Sequence, residues 1–177
     1  MKPLLMTAAL SAAFLLPTTS TYAASENECA IWLCLPAAFA VDGCGAAKDA
    51  FIDRIKHFKP PLPSFTSCMY AGDLPSGTPD SSEMSSVTGS AAYVPAREEC
   101  KRWGMFGNEC MQSEIIPSHI VKNQRCKRAE GGERNPRYCT KTINYVQTKL
   151  DGQLYGEPYY YDNNGGTYLE GSTQLEN

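Results

Sequence analysis

Glu28-Cys29-Ala30-Ile31-Trp32-Leu33-Cys34-Leu35-Pro36-Ala37-Ala38-Phe39-Ala40-Val41-Asp42-Gly43-Cys44-Gly45 is the most apolar part of the chain outside its first sixteen residues. It holds three of the eight cysteines and one of the two tryptophans. From Cys29 to Leu35 no polar face remains, so a helix here is buried on most sides. Pro36 breaks or restarts that helix, and Asp42-Gly43 ends the stretch in a turn. The segment reads as the stapled centre of a small exported domain.

Outward on the C-terminal side, Gly45 to Phe58 is the clearest helix. Ala47, Phe51, Ile55 and Phe58 form one apolar stripe of helical period, with Lys48, Asp49, Asp53, Arg54 and Lys56 mainly elsewhere. The stripe is expected to pack on residues 29–41. Pro60-Pro61-Leu62-Pro63 stops the helix, and the chain turns through Ser64–Ser67 to Cys68. That cysteine is placed to tie the end of the hairpin to its start.

On the N-terminal side, Lys2 precedes an apolar run from Leu4 to Leu16, then Pro17 and small residues up to Ala23-Ala24. This is the pattern of a signal peptide cleaved after Ala23. The run is too short for a membrane anchor, which needs about 20 residues. All eight cysteines lie after the leader, and an even count in an exported chain points to disulfides. Four bridges leave the pairing open. Lys plus Arg number 16 against 19 acids, and losing Lys2 moves the net charge from −3 to −4. Such a balance gives no global attraction for nucleic acid or anionic membrane.

Further along, residues 72–96 are rich in Pro, Gly, Ser and Thr and read as a flexible loop. Residues 97–139 read as a helical, cysteine-containing segment, with acids early and basic residues late. From Thr142 the period changes. Ile143, Tyr145 and Gln147 alternate with Asn144, Val146 and Thr148, and Asp151-Gly152 marks a hairpin turn into Gln153–Tyr155. Tyr159-Tyr160-Tyr161 extends the pairing.

The cysteines are separated by 4, 9, 23, 31, 9, 15 and 12 residues, which matches neither a zinc knuckle nor a redox Cys-x-x-Cys. On a helix Cys29 and Cys34 point about 140° apart, so each bridges to a different partner. Cys29, Cys34, Cys44, Cys68, Cys100, Cys110, Cys126 and Cys139 are therefore assigned to structural disulfides. His57 sits on the last turn of its helix and His119 at an expected helix start; no Gly-x-Ser-x-Gly recommends a serine beside either. A glycosidase needs a protonated acid in an apolar pocket, for which Glu28 is the one candidate. Seven basic residues between Lys122 and Lys141 stand against Glu130 and Glu133. Phosphate binding would use such a patch, and the plainer reading is a solvated face or an electrostatic docking surface. No catalytic residue, metal site, cofactor or small-molecule substrate is expected. Candidate interaction residues are Trp32, Phe39, Lys122, Arg125, Lys127 and Arg128.

Glu28-Cys29-Ala30-Ile31-Trp32-Leu33-Cys34-Leu35-Pro36, then Phe39, Gly43-Cys44, Ala47, Phe51, Arg54 and Pro61-Leu62-Pro63 through Cys68, resemble the N-terminal signature of the TrbM/KikA/MpfK family of conjugal transfer proteins. The resemblance is specific over residues 28–68 and looser beyond. It implies a periplasmic accessory of a plasmid mating-pair-formation apparatus, a type IV secretion system, working through protein components of that machinery. It carries no catalytic residues. Alternatives are a cell-wall glycan hydrolase serving the same apparatus and a DNA-contacting accessory, although nucleic acid is not the expected partner.

The sequence thus predicts a mainly α, small disulfide-stapled helical domain with a C-terminal β-hairpin. Its parts are a signal peptide (1–23), a disulfide-stapled helical hairpin (24–71), a flexible loop (72–96), a helical cysteine-containing segment (97–139), a β-hairpin region (140–161) and a flexible tail (162–177).

Overall fold

A computed structural model describes residues 24–69 and 83–175. The leader assigned to 1–23 and the first part of the 72–96 segment lie outside the described residues.

The N-terminal unit follows the sequence closely. Helix α1 (Glu26–Cys34) opens with a reciprocal cap. The Glu28 N–H donates to the Ser25 hydroxyl at 3.2 Å, and the Ser25 N–H donates to the Glu28 carboxylate at 3.1 Å. Pro36 ends α1 in a single 3-10 turn, Leu35–Ala37. Ala38 and Phe39 then take left-handed φ angles of 51° and 59°, which reverse the chain. Helix α2 (Gly45–Lys56) buries Ala47, Phe51 and Ile55 as the stripe predicts. Phe58 departs from it: the helix has already ended, Phe58 has φ 55°, and its side chain is 91% exposed. Two disulfides close the unit, Cys29–Cys68 and Cys34–Cys44. Cys68 thus returns to the start of the hairpin, and the two cysteines of α1 take different partners.

Beyond this unit the expected mainly α fold is overturned, because the molecule is mainly β. Among the described residues nine strands follow: β1 (Met84–Val94), β2 (Arg97–Trp103), β3 (Cys110–Ile116), β4 (His119–Lys122), β5 (Lys127–Arg128), β6 (Arg134–Asn135), β7 (Lys141–Leu150), β8 (Gln153–Tyr161) and β9 (Thr167–Tyr168). An antiparallel five-stranded sheet runs in the order β4-β1-β7-β8-β9, while β2-β3 and β5-β6 form separate two-stranded ribbons.

Three expectations are corrected. The described part of the 72–96 loop is the long strand β1. Its small residues are packing choices rather than loop residues. A Cβ on Gly89 would come within 2.7 Å of the Tyr145 ring, so only glycine lets that ring lie across the strand. The 97–139 helical segment is two ribbons and a short strand. The tail beyond 162 is held in place: the Ser118 N–H donates to Ser172 O and the Gly171 N–H to Ser118 O, each at 2.8 Å. The β7–β8 hairpin at Asp151-Gly152 stands as expected and is longer than the sequence suggested.

The helical unit covers one face of the sheet. Phe39 and Phe51 meet Tyr159 and Tyr161 of β8 at ring separations of 5.1–5.3 Å, mostly edge to face. Each such pair adds roughly 0.5–1.5 kcal/mol to the area it buries. A wide bulge in β8 makes the junction. Between the pairs Val146–Tyr159 and Thr148–Tyr155, Gly156-Glu157-Pro158 face Gln147 alone. The Gln147 amide donates to Gly156 O at 2.8 Å and accepts from Lys122 Nζ at 2.7 Å. The opposite face carries Ala91, Tyr93, Ile120, Ile143, Tyr145 and Tyr160 as a second cluster.

Candidate functional site

The sequence candidates separate into buried and exposed groups. Trp32 and Phe39 are 5% and 9% exposed and belong to the core, Trp32 against Phe65 and Phe39 against Phe51 and Tyr159. Neither offers a surface to a partner. Lys122 is half-buried, with its ammonium 4.6 Å over the Tyr145 ring as well as on Gln147. Arg125, Lys127 and Arg128 are exposed. All eight cysteines are paired, the remaining bridges being Cys100–Cys110 and Cys126–Cys139.

Glu28 is engaged structurally. Its carboxylate binds Arg54 Nη1 at 2.5 Å. The Ser25 N–H, and then the Arg54 guanidinium, hold its carboxyl below the usual carboxylate range. A general acid requires the opposite shift. Arg54 is itself buried and donates to Pro60 O at 2.9 Å and Leu62 O at 3.2 Å. An open groove of about 510 Å³ beside Glu28 is lined by Ser25, Asp49 and Asp53 among others, so it offers no apolar pocket for a protonated acid. His57 is exposed, with Nδ1 2.8 Å from Asp53 O at the end of α2. His119 is exposed on β4. Among the described residues no three His, Cys, Asp or Glu side chains group to hold a metal ion.

Two features that the sequence reading missed dominate the surface. The first is the β2–β3 ribbon. Cys100–Cys110 crosslinks it near its tip, and the Gly104 N–H closes the turn on Glu109 O at 2.8 Å. At that tip Trp103, Met105, Phe106 and Met111 are 58%, 96%, 88% and 61% exposed. Met111 lies against the bare backbone of Gly104. The apolar side chains were visible in the sequence, but the helical reading gave them no common location. The second is the outer edge of β1. Strand β4 pairs with only residues 91–94 of β1, so from Met84 to Ser90 that edge has no neighbouring strand among the described residues. Met84-Ser85-Ser86-Val87-Thr88-Gly89-Ser90 has none of the charges or prolines that blunt an edge.

Comparison with protein-family models, curated proteins and solved structures finds no match. Residues 28–68 form one contacting unit. Glu28 meets Arg54, Arg54 meets Leu62, Phe39 meets Phe51, Cys29 joins Cys68 and Cys34 joins Cys44. Four disulfides fit an oxidising compartment. No helix among the described residues is long and apolar enough to cross a membrane.

Proposed function

We propose that this is a periplasmic accessory of a conjugative type IV secretion apparatus, acting without catalysis through protein–protein contacts that assemble or stabilise mating-pair formation. The family resemblance over residues 28–68 supplies the apparatus. The observation that carries the contact reading is the open edge of β1. Seven residues of uncharged strand whose outer edge has no neighbour among the described residues are a template on which an extended partner segment adds by main-chain hydrogen bonds. The glycan-hydrolase alternative loses its one acid, because Glu28 is held ionised on Arg54.

A photoreactive residue at Ser86 or Thr88, both exposed, tests the reading in mating-competent cells. Crosslinks to a component of the secretion apparatus are the expected result. Recovery of no such component from either position would sink it.

A further inference from the structure

We propose that one end of the sheet docks on an anionic lipid bilayer, with the tip of the β2–β3 ribbon in the interface and the Cys126–Cys139 loop on the lipid phosphates.

Both elements leave the same end of the sheet. The ribbon begins three residues after β1 ends at Val94, and it returns to β4, where His119 pairs with Val94. The Cys126–Cys139 loop is fastened at that end by two bonds. The Cys126 N–H donates to Thr142 Oγ1 at 2.9 Å, and the Thr140 N–H donates to Tyr93 O at 3.0 Å. The base of the ribbon touches the loop directly. The Arg97 guanidinium lies 4.3 Å from the Tyr138 ring centre, and Arg137 lies 4.8 Å from the same centre.

The loop and its two flanks concentrate charge that the rest of the chain opposes. Lys122 to Lys141 carry seven basic and two acidic residues, the remainder of the chain nine basic and seventeen acidic. Arg128 and Arg134 pair directly across the β5–β6 ribbon, so their side chains share a face. Like charges opposite one another destabilise a ribbon unless something negative joins them. Arg125, Lys127, Arg128 and Arg134 make no ion pair among the described residues. The exposed basic groups therefore gain most from closely spaced phosphates.

The ribbon tip favours a bilayer over nucleic acid. From Trp103 to Asn108 it carries no charge, and its apolar side chains stand on a narrow projection. An apolar projection whose base touches a basic loop matches an interface with acyl chains below and anionic headgroups at its surface. A nucleic acid bound through the arginines alone would leave Met105 and Phe106 in water. Glu98 and Glu109 on the ribbon weaken the attraction without falling in the uncharged tip.

Purified protein with phosphatidylglycerol-containing vesicles tests it, with pure phosphatidylcholine vesicles and a DNA oligonucleotide as the other arms. The expected result is co-sedimentation with the anionic vesicles that weakens with salt, together with quenching of tryptophan by acyl-brominated lipid. The quenching belongs to Trp103 and disappears in Trp103→Phe, because Trp32 is buried. Phe106→Ser with Met105→Ser lowers vesicle affinity by about tenfold or more. Arg128→Gln with Arg134→Gln lowers it by about tenfold and flattens the salt dependence. All four positions are exposed, so circular dichroism of the variants stays that of the parent. No binding to anionic vesicles, binding without quenching of Trp103, or binding to the oligonucleotide alone overturns the proposal. No secretion component is present in the assay, so its outcome is independent of the crosslinking result at β1.

Discussion

The backbone of Gly156 rests on Pro36 so closely that a methyl group on Gly156 would lie 2.5 Å from the Pro36 α-carbon and carbonyl oxygen. The contact joins the helical unit to the sheet, and Gly156 also has φ +75°. Gly156→Ala combines left-handed strain with overpacking and should cost about 2–4 kcal/mol. Gly152→Ala has similar strain, φ +78°, but open space around it, and should cost only about 1 kcal/mol. Urea unfolding of the two variants checks the difference.

The Glu28–Arg54 pair gives a pH signature. The folded carboxyl titrates below its unfolded value, so its stabilisation is complete above about pH 4.3 and fades as pH falls through the folded value. Glu28→Gln should be less stable than the parent at pH 7 by about 1–2 kcal/mol. Thermal melts should show that gap closing as the pH is taken below about 4. Arg54→Met also strands the carbonyls of Pro60 and Leu62 and should cost more, about 3 kcal/mol.

Tyr159 and Tyr161 are pushed up to about 12 by burial. Absorbance at alkaline pH should therefore show two phenols still protonated well above pH 10, where an unperturbed tyrosine ionises. The unfolded chain releases those protons first, so stability should fall as pH climbs from about 10 to about 12. The Tyr159 hydroxyl has no hydrogen-bond partner among the described residues. Tyr159→Phe keeps the ring contacts, removes a desolvated polar group, and should match or exceed the parent in melting temperature.

The two disulfides that close ten-residue separations should differ in reach. Cys34 and Cys44 are both buried in the core, and replacing both by serine should lower global stability by about 3 kcal/mol. Replacing Cys100 and Cys110 should act mainly on the exposed ribbon. Hydrogen exchange should rise across residues 97–116 while the melting temperature of the body moves little. An equal loss of global stability in both variants would count against a ribbon that stands apart.

The helical unit was legible because its signals are local. Ser25 with Glu28 caps α1, Pro36 ends it, and the 47–51–55 stripe has one period. The β7–β8 hairpin was legible from alternation and Asp151-Gly152. Strand β1 was hidden because it pairs with β7, some fifty residues on, and uses Gly89 and Ala91 to fit Tyr145 and Ile143. Composition reads such small residues as loop, and only the long-range partner makes them strand. The β2–β3 ribbon was hidden for another reason. Exposed or half-buried on both faces, Glu98-Glu99-Cys100-Lys101-Arg102 shows no alternation, and its helical composition yields to a crosslink that sequence could not pair. The basic run was noticed, but its Arg128–Arg134 pairing needed the register.

Three of the bridges join cysteines that are neighbours in sequence, while Cys29–Cys68 encloses Cys34–Cys44. For a chain that crosses a membrane from its N-terminus, this nesting sets an order of events. Cys29 emerges first, and the next thiol to appear is Cys34, the wrong one. An oxidant that joins thiols as they arrive would trap that pair. Once α1 forms, it holds the two on different sides of the helix, leaving Cys29 to wait for Cys68, 39 residues behind it. In such a chain the cap at Ser25 and Glu28 would guard the pairing of Cys29 as well as the end of a helix.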